Sequence, residues 1–201
     1  MSHDIEFEET EKGAKIIATV LELEKSSAND RFYKIEEGES IAKSLEGKPV
    51  YYGTDSMGRH DNPLMRATSK KEPVGFVESA KVVGNKIKAI VKIINDSLIQ
   101  RLKKGTKFLF SVGGHAIRET LEKIGDKVIH VLSGAKCNHL QIVDLDTPVG
   151  FPNAELEKVL EINETVMIIG KGEVVEKTLK YEEVEEDIEF TGSIAGFEYE
   201  E

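Results

Sequence analysis

The sequence predicts a mainly β fold with a few helices: an antiparallel β-barrel, closed or nearly closed, of about seven strands with short helices outside it. Three observations carry this. Short runs rich in Val, Ile, Phe and Tyr recur along the chain, each bounded by Gly, Pro, Asn or Asp. Two pairs of these runs are joined by hairpin signals, Gly84-Asn85-Lys86 and Gly125-Asp126. The chain has neither the strand–helix alternation of a parallel sheet nor an internal repeat.

The elements follow in order. Residues 15–24, KIIATVLELE, are β-branched and partly alternating, which predicts a strand. KSSANDRFY (25–33) has the Ser/Asn/Asp content of a loop. In the next segment Ile41, Ala42 and Leu45 fall on one helical face, and Gly47 stands where such a helix stops. Lys48-Pro49 opens a strand through Val50 and Tyr51, and residues 53–73 form a long irregular stretch of a length that usually serves function. VGFVESAKVVG and KIKAIVKII form the first predicted hairpin. NDSLIQRLKKG predicts a helix with Asn95 or Asp96 as its cap, Leu98, Ile99 and Leu102 as its stripe and Gly105 as its end. TKFLFSVGGHA is a strand, EKIGDKVIHVL a second hairpin, and HLQIVDLD a strand broken by the segment Pro148 to Pro152. VMIIGKGEVVEKTLKY predicts one more hairpin, and from Tyr181 onward the chain reads as an acidic tail, with nine acids and no base after Lys180. This divides the chain into an N-terminal arm (1–14), a barrel domain (15–165) and a C-terminal hairpin with tail (166–201).

Bulk properties exclude several function classes. The chain has 201 residues, 39% hydrophobic and 32% charged, with a net charge of −10, as expected of one globular domain with an appendage. Its nearest approach to a basic cluster, Arg101-Leu102-Lys103-Lys104, is too short for a nucleic-acid footprint. The single cysteine, Cys137, permits neither an intramolecular disulfide nor a thiolate-rich zinc site, which fits a reducing compartment. No apolar run reaches the length of a membrane helix, and MSHDIEFEETEKG lacks the apolar core of a secretion signal. The expectation is an intracellular protein, free of membrane and of direct nucleic-acid binding.

The candidate chemistry centres on Ser111, at the end of the apolar run FLF and directly before Val112-Gly113-Gly114. A serine hydroxyl is a poor nucleophile until a neighbouring base takes its proton and a third group holds that base. Five histidines are available: His3, His60, His115, His130 and His139. His3 lies in the N-terminal arm, and His130 sits mid-strand in KVIHVL as an ordinary surface or satisfied histidine. His115 is close in sequence, but a strand or tight turn would aim it differently from Ser111. His60 lies in the long stretch beside Asp61 and Asn62, and His139 opens a strand. His60, Asp61 and His139 also allow a metal site with an open position, although no HExxH spacing supports it. The two glycines read either as room for a substrate backbone or as a hairpin or bulge needing positive φ.

In order and spacing, four pieces of the chain resemble the prohead (capsid maturation) serine proteases of tailed phages, related in fold to the herpesvirus assemblin proteases. They are SSANDRFY after the first strand; LEGKPVYYG followed by RHDNP; PVGFVESAKVVGNKIKAIVKI before the helix; and FLFSVGG followed by HLQIVDLDTPVGFPNA. The resemblance covers about residues 15–160. It implies Ser111 as nucleophile, His60 as general base and His139 as third member of a Ser-His-His triad. Asp144 is the alternative third member, although alternation from His139 puts it on the opposite strand face. Backbone N–H groups between Asp146 and Gly150 are the implied oxyanion donors. The resemblance further implies no cofactor or metal, capsid and scaffold proteins as substrates, self-cleavage, a homodimer, and a place inside the assembling procapsid in the host cytoplasm. A catalytically inactive capsid-assembly component with the same fold is the alternative.

Overall fold

The computed structural model describes residues 12–54, 72–170 and 173–182. The described residues form two α-helices and eleven strands, the strands arranged as two sheets. The first strand, β1 (Gly13–Glu22), is buried almost throughout. Its β-branched run covers nearly the whole of the predicted strand, extended by two residues at its start. The prediction of a loop over 25–33 is only partly met, because Arg31–Tyr33 forms a short strand, β2. A single 3-10 turn at Ile35–Glu37 leads into helix α1 (Gly38–Leu45), which buries Ile41, Ala42 and Leu45. Strand β3 (Pro49–Tyr52) follows, then the hairpin of β4 (Gly75–Val83) and β5 (Lys86–Ile93). Helix α2 (Asp96–Lys103) is capped by Asn95, whose side chain accepts a hydrogen bond from the Leu98 N–H at 3.1 Å. Then come β6 (Leu109–His115), β7 (Arg118–Ile124), β8 (Lys127–Ser133), β9 (Lys136–Val143), β10 (Leu156–Gly170) and β11 (Glu173–Glu182).

The larger sheet has the order β11-β10-β1-β5-β4-β3-β9-β6, and the smaller one β2-β8-β7. The large sheet curls as a half-barrel around a core that includes Ile16, Leu21, Ile87, Ile99, Phe110 and Leu140. Burying such side chains contributes about 1.5–3 kcal/mol each before entropy is counted. Beyond β9, the edge strand β6 touches the start of β10 through one bridge, Leu109 to Glu155. Two backbone bonds flank it, Phe110 N–H to Ala154 O (2.7 Å) and Leu156 N–H to Phe108 O (3.0 Å). No continuous ladder joins β6 to β10 among the described residues.

Three features depart from the sequence-based expectation. The described residues form eleven strands in two sheets rather than about seven in one barrel, because β7 and β8 pair with the unexpected β2 as a separate three-stranded sheet. The pairing is not wholly antiparallel: β3 with β9 and β2 with β8 are parallel. Each of these pairs is distant in sequence, so no hairpin turn announces it. The expected C-terminal hairpin is present as β10–β11, but β10 runs unbroken through residue 165, and Tyr181 pairs with Ile162 inside it. The expected boundary at 165/166 therefore falls within a strand. The remainder of the acidic tail lies outside the described residues, as does most of the N-terminal arm.

Candidate functional site

Strands β6 and β9 build the site. Their antiparallel register sets Ser111 opposite Gln141, Val112 opposite Leu140 and Gly113 opposite His139. Directly opposed residues share a face, so Ser111, Gly113, Gln141 and His139 all lie on one side of the pair. Val112 and Leu140 point to the other side, into the core. Ser111 and His139 are thus diagonal neighbours, roughly 7–8 Å apart at the backbone. Tyr51, which pairs with Gln141 from β3, shares their face, and its ring lies 6.1 Å from that of His139. His139 is 4% exposed and Gln141 fully buried, although neither faces the main core.

A β-bulge aims His139. The register jumps from Gly113–His139 to Gly114–Cys137, leaving Asn138 as the extra residue of β9. Without it, alternation would place Cys137 and His139 on one face; with it, Cys137 turns to the core and His139 to the Ser111 side. Asn138 also fixes the ring. Its Oδ1 is 2.7 Å from His139 Nδ1. A carboxamide oxygen only accepts, so Nδ1 carries the proton and Nε2 is the acceptor nitrogen. Across the bulge the Cys137 N–H donates to Ser44 Oγ at 2.8 Å, which ties β9 to α1.

The glycines after Ser111 do not serve a turn that needs positive φ. Neither Gly113 nor Gly114 has positive φ. A Cβ on Gly113 would stand 1.9 Å from Cε1 and 2.4 Å from Nε2 of His139. The ring occupies the space where the side chain would be. A Cβ on Gly114 would meet the Lys136 carbonyl oxygen at 2.0 Å. The bulge expected as one alternative is present, but on the partner strand.

The same part of β6 and β9 lines a cleft of about 900 Å³. Ser111, Gly113, His115, Asn138 and His139 contribute to it, as do Val112 and Cys137 from the core side of the same strands and the segments at 27–33 and 148–151. The last two segments are bound to each other. The Ala28 N–H donates to Gly150 O at 2.7 Å, and the rings of Tyr33 and Phe151 lie 6.2 Å apart. Ser27 folds its loop by accepting from the Arg31 N–H at 3.0 Å and the Asn29 N–H at 3.3 Å. Segments widely separated in sequence, SSANDRFY, FSVGG and TPVGFPNA, therefore meet at one place.

The remaining predicted residues divide as follows. Gly150 lines the cleft, whereas Asp146 is exposed on the turn closed by Thr147 N–H to Asp144 O (3.0 Å) and is not among the lining residues. Asp144 is engaged elsewhere: it accepts from Tyr52 Oη at 2.6 Å and pairs with Arg101 at 2.5 Å. These hydrogen bonds, that of Tyr52 first, hold its carboxyl below the usual carboxylate range. Arg101 in turn stacks over Phe108, 4.7 Å from the ring centre. His115 lines the cleft and shares the Ser111 face, yet four residues of strand put it about 13 Å along. Distance, rather than side-chain direction, separates it from Ser111. His130 pairs with Glu119 on the surface, as an ordinary histidine does. His60, Asp61 and His3 lie outside the described residues. Among the described residues no group of three or more His, Cys, Asp or Glu could hold a metal.

Three contributors escaped the sequence reading. Asn138 was invisible because nothing marks a bulge in CNHLQ. Gln141 donates from its carboxamide to the Gly53 carbonyl, while its own Oε1 is buried with no hydrogen-bond partner among the described residues. Once β6 and β9 are paired, stepping by two from His139 finds it. Cys137 is the third: it lines the cleft, but burial pushes its thiol up to about 12, so it holds no thiolate at neutral pH.

No helix among the described residues is long and apolar enough to cross a membrane. Comparison of the chain with family models, with curated proteins and with solved structures returns no match.

Proposed function

We propose that this chain is a serine endopeptidase that cuts capsid and scaffold segments, and itself, during prohead maturation, with Ser111 as nucleophile, His60 as general base and His139 as third member. One observation carries the reading: Ser111 and His139 share a face of β6–β9 as diagonal neighbours, and both line one cleft. The tautomer of His139 fits the role, because its acceptor nitrogen is the one that can receive a hydrogen bond from His60. Chain reach permits that contact. The main chain leaves β3 at Gly53, whose N–H donates to Ile142 O at 2.8 Å. Gly53 thus sits about two strand spacings, roughly 10 Å, from β6. The seven residues to His60 can span up to about 23 Å.

Ser111 Oγ attacks the scissile carbonyl carbon while His60 takes its proton, and His60 returns that proton to the departing amine. Water then hydrolyses the acyl-enzyme by the same route. Pro148 has no N–H, so Val149 and Gly150 supply the oxyanion donors of the lining loop. A neutral His139 stabilises the His60 imidazolium less than a carboxylate would, so turnover is slow. High local concentration inside a precursor shell compensates for this. The test is reaction of the purified chain with a fluorophosphonate, alongside Ser111→Ala, His60→Ala and His139→Ala, with intact mass to follow loss of the acidic tail. Labelling and tail loss that vanish in Ser111→Ala are expected. An unlabelled native chain would favour the inactive assembly component, and labelling that persists in Ser111→Ala would discard the site.

A further inference from the structure

The chain carries 37 acids against 27 bases. The cleft inverts this balance. Among the described residues that line it there is no Asp or Glu, and the charged ones are Arg31 and Lys136. Neither makes an ion pair among the described residues. They stand at different places on the walls. Arg31 belongs to β2, beside Tyr33, whose hydroxyl pKa is raised by burial. Lys136 opens β9 directly opposite His115, on the same face as Ser111. In a protein of net charge −10, the described lining of this cleft carries cations and no anions, and charge of one sign in a cleft selects and steers ligands of the other.

We infer that the cleft recognises acidic peptide segments, with Lys136 and Arg31 as its specificity-determining residues. For the role of the bound segment as substrate, this rests on the endopeptidase reading. Lys136 lies about 13 Å along the strand from Ser111, which an extended peptide covers in about four residues. An acidic side chain about four residues from the scissile bond therefore meets Lys136. Arg31 reads acids across the width of the cleft. The chain carries a segment of this kind itself, EEVEEDIEFTGSIAGFEYEE, with nine acids and no base. That segment, in the same or a neighbouring copy, is the first ligand the cleft meets.

The experiment uses the full chain bearing Ser111→Ala, so that binding is read without cleavage. The probe is a fluorescent synthetic peptide of residues 182–201, compared by anisotropy with the same peptide in which every Glu and Asp is replaced by Gln or Asn. The chain's own segment competes equally with both. The acidic probe is expected to bind at least about tenfold more tightly, and added salt should weaken it selectively. Arg31→Glu with Lys136→Glu should abolish the preference, and Lys136→Gln alone should reduce it with an unchanged circular dichroism spectrum. Equal affinity for the two probes, or a preference that survives both sets of substitutions, overturns the inference. A native chain that reacts with fluorophosphonate but is blind to peptide charge would leave the endopeptidase standing without this specificity. A chain that prefers the acidic probe but never reacts would leave an acidic-peptide cleft without the enzyme.

Discussion

The imidazole of His139 fills the space that a side chain on Gly113 would need, with Cε1 only 1.9 Å from the position of the missing Cβ. The glycine after Ser111 and the histidine of the neighbouring strand are thus one device, and either is misplaced without the other. Gly113→Ala should expel the buried ring. The expected result is a fall of at least about tenfold in the rate of fluorophosphonate labelling, with about 1–3 kcal/mol lost in urea denaturation from overpacking. Labelling at the native rate would show that the ring position is irrelevant to Ser111.

Gly114→Ala makes an informative contrast. Its Cβ would meet backbone, the Lys136 carbonyl oxygen at 2.0 Å, and backbone cannot rotate away as a side chain can. The cost should therefore appear mainly as lost stability, at or beyond the upper end of the range for Gly113→Ala. Comparing the two urea midpoints measures this.

Asn138 acts on His139 through a single hydrogen bond. Asn138→Ala removes the acceptor that holds the proton on Nδ1 and should slow labelling of Ser111 by roughly threefold to tenfold, the value of about one hydrogen bond. Asn138→Asp keeps an acceptor there and should restore most of the rate. A histidine signal in the NMR spectrum that shifts in the first variant and not in the second would report the tautomer directly.

Asp144 and His139 are the two candidates for the third place of the proposed triad, and their surroundings separate them. Asp144→Asn breaks the contacts to Tyr52 and Arg101. The pair is partly exposed, so the stability loss should be only about 0.5–1 kcal/mol. Labelling should stay within about threefold of native, while His139→Ala reduces it far more. The folded carboxyl of Asp144 titrates below its ordinary value. Its contribution to stability is therefore full above about pH 4 and lost as pH falls through the lowered folded value. In Asp144→Asn the acid limb of the stability curve should flatten.

Cys137 should be silent toward thiol reagents in the folded protein and react on addition of denaturant. Its thiol is pushed by burial from 9.0 to about 12, so between those values the unfolded chain ionises and the folded one does not. Stability from this group is full below pH 9 and declines as pH climbs towards 12. Cys137→Ala should remove that decline, measured by urea midpoints on the alkaline side.

The sequence by itself determined the local elements. The β-branched runs of β1 and β5, the Asn95 cap and apolar stripe of α2, and the turns at Gly84-Asn85 and Gly125-Asp126 are set by neighbours in the chain, and they stand where their patterns put them. It also marked Ser111 and His139 as residues to watch, and alternation alone removed Asp144 from their face. Tertiary structure decided the rest. The parallel pairings β3–β9 and β2–β8 join segments that no turn connects, so nothing local encodes them. The bulge at Asn138 is a property of two strands in register, and only that register turns His139 towards Ser111 and Cys137 away. The cleft and its reversed charge arise because walls from four separate segments meet, and a linear pattern holds no record of which residues will face one another across a gap.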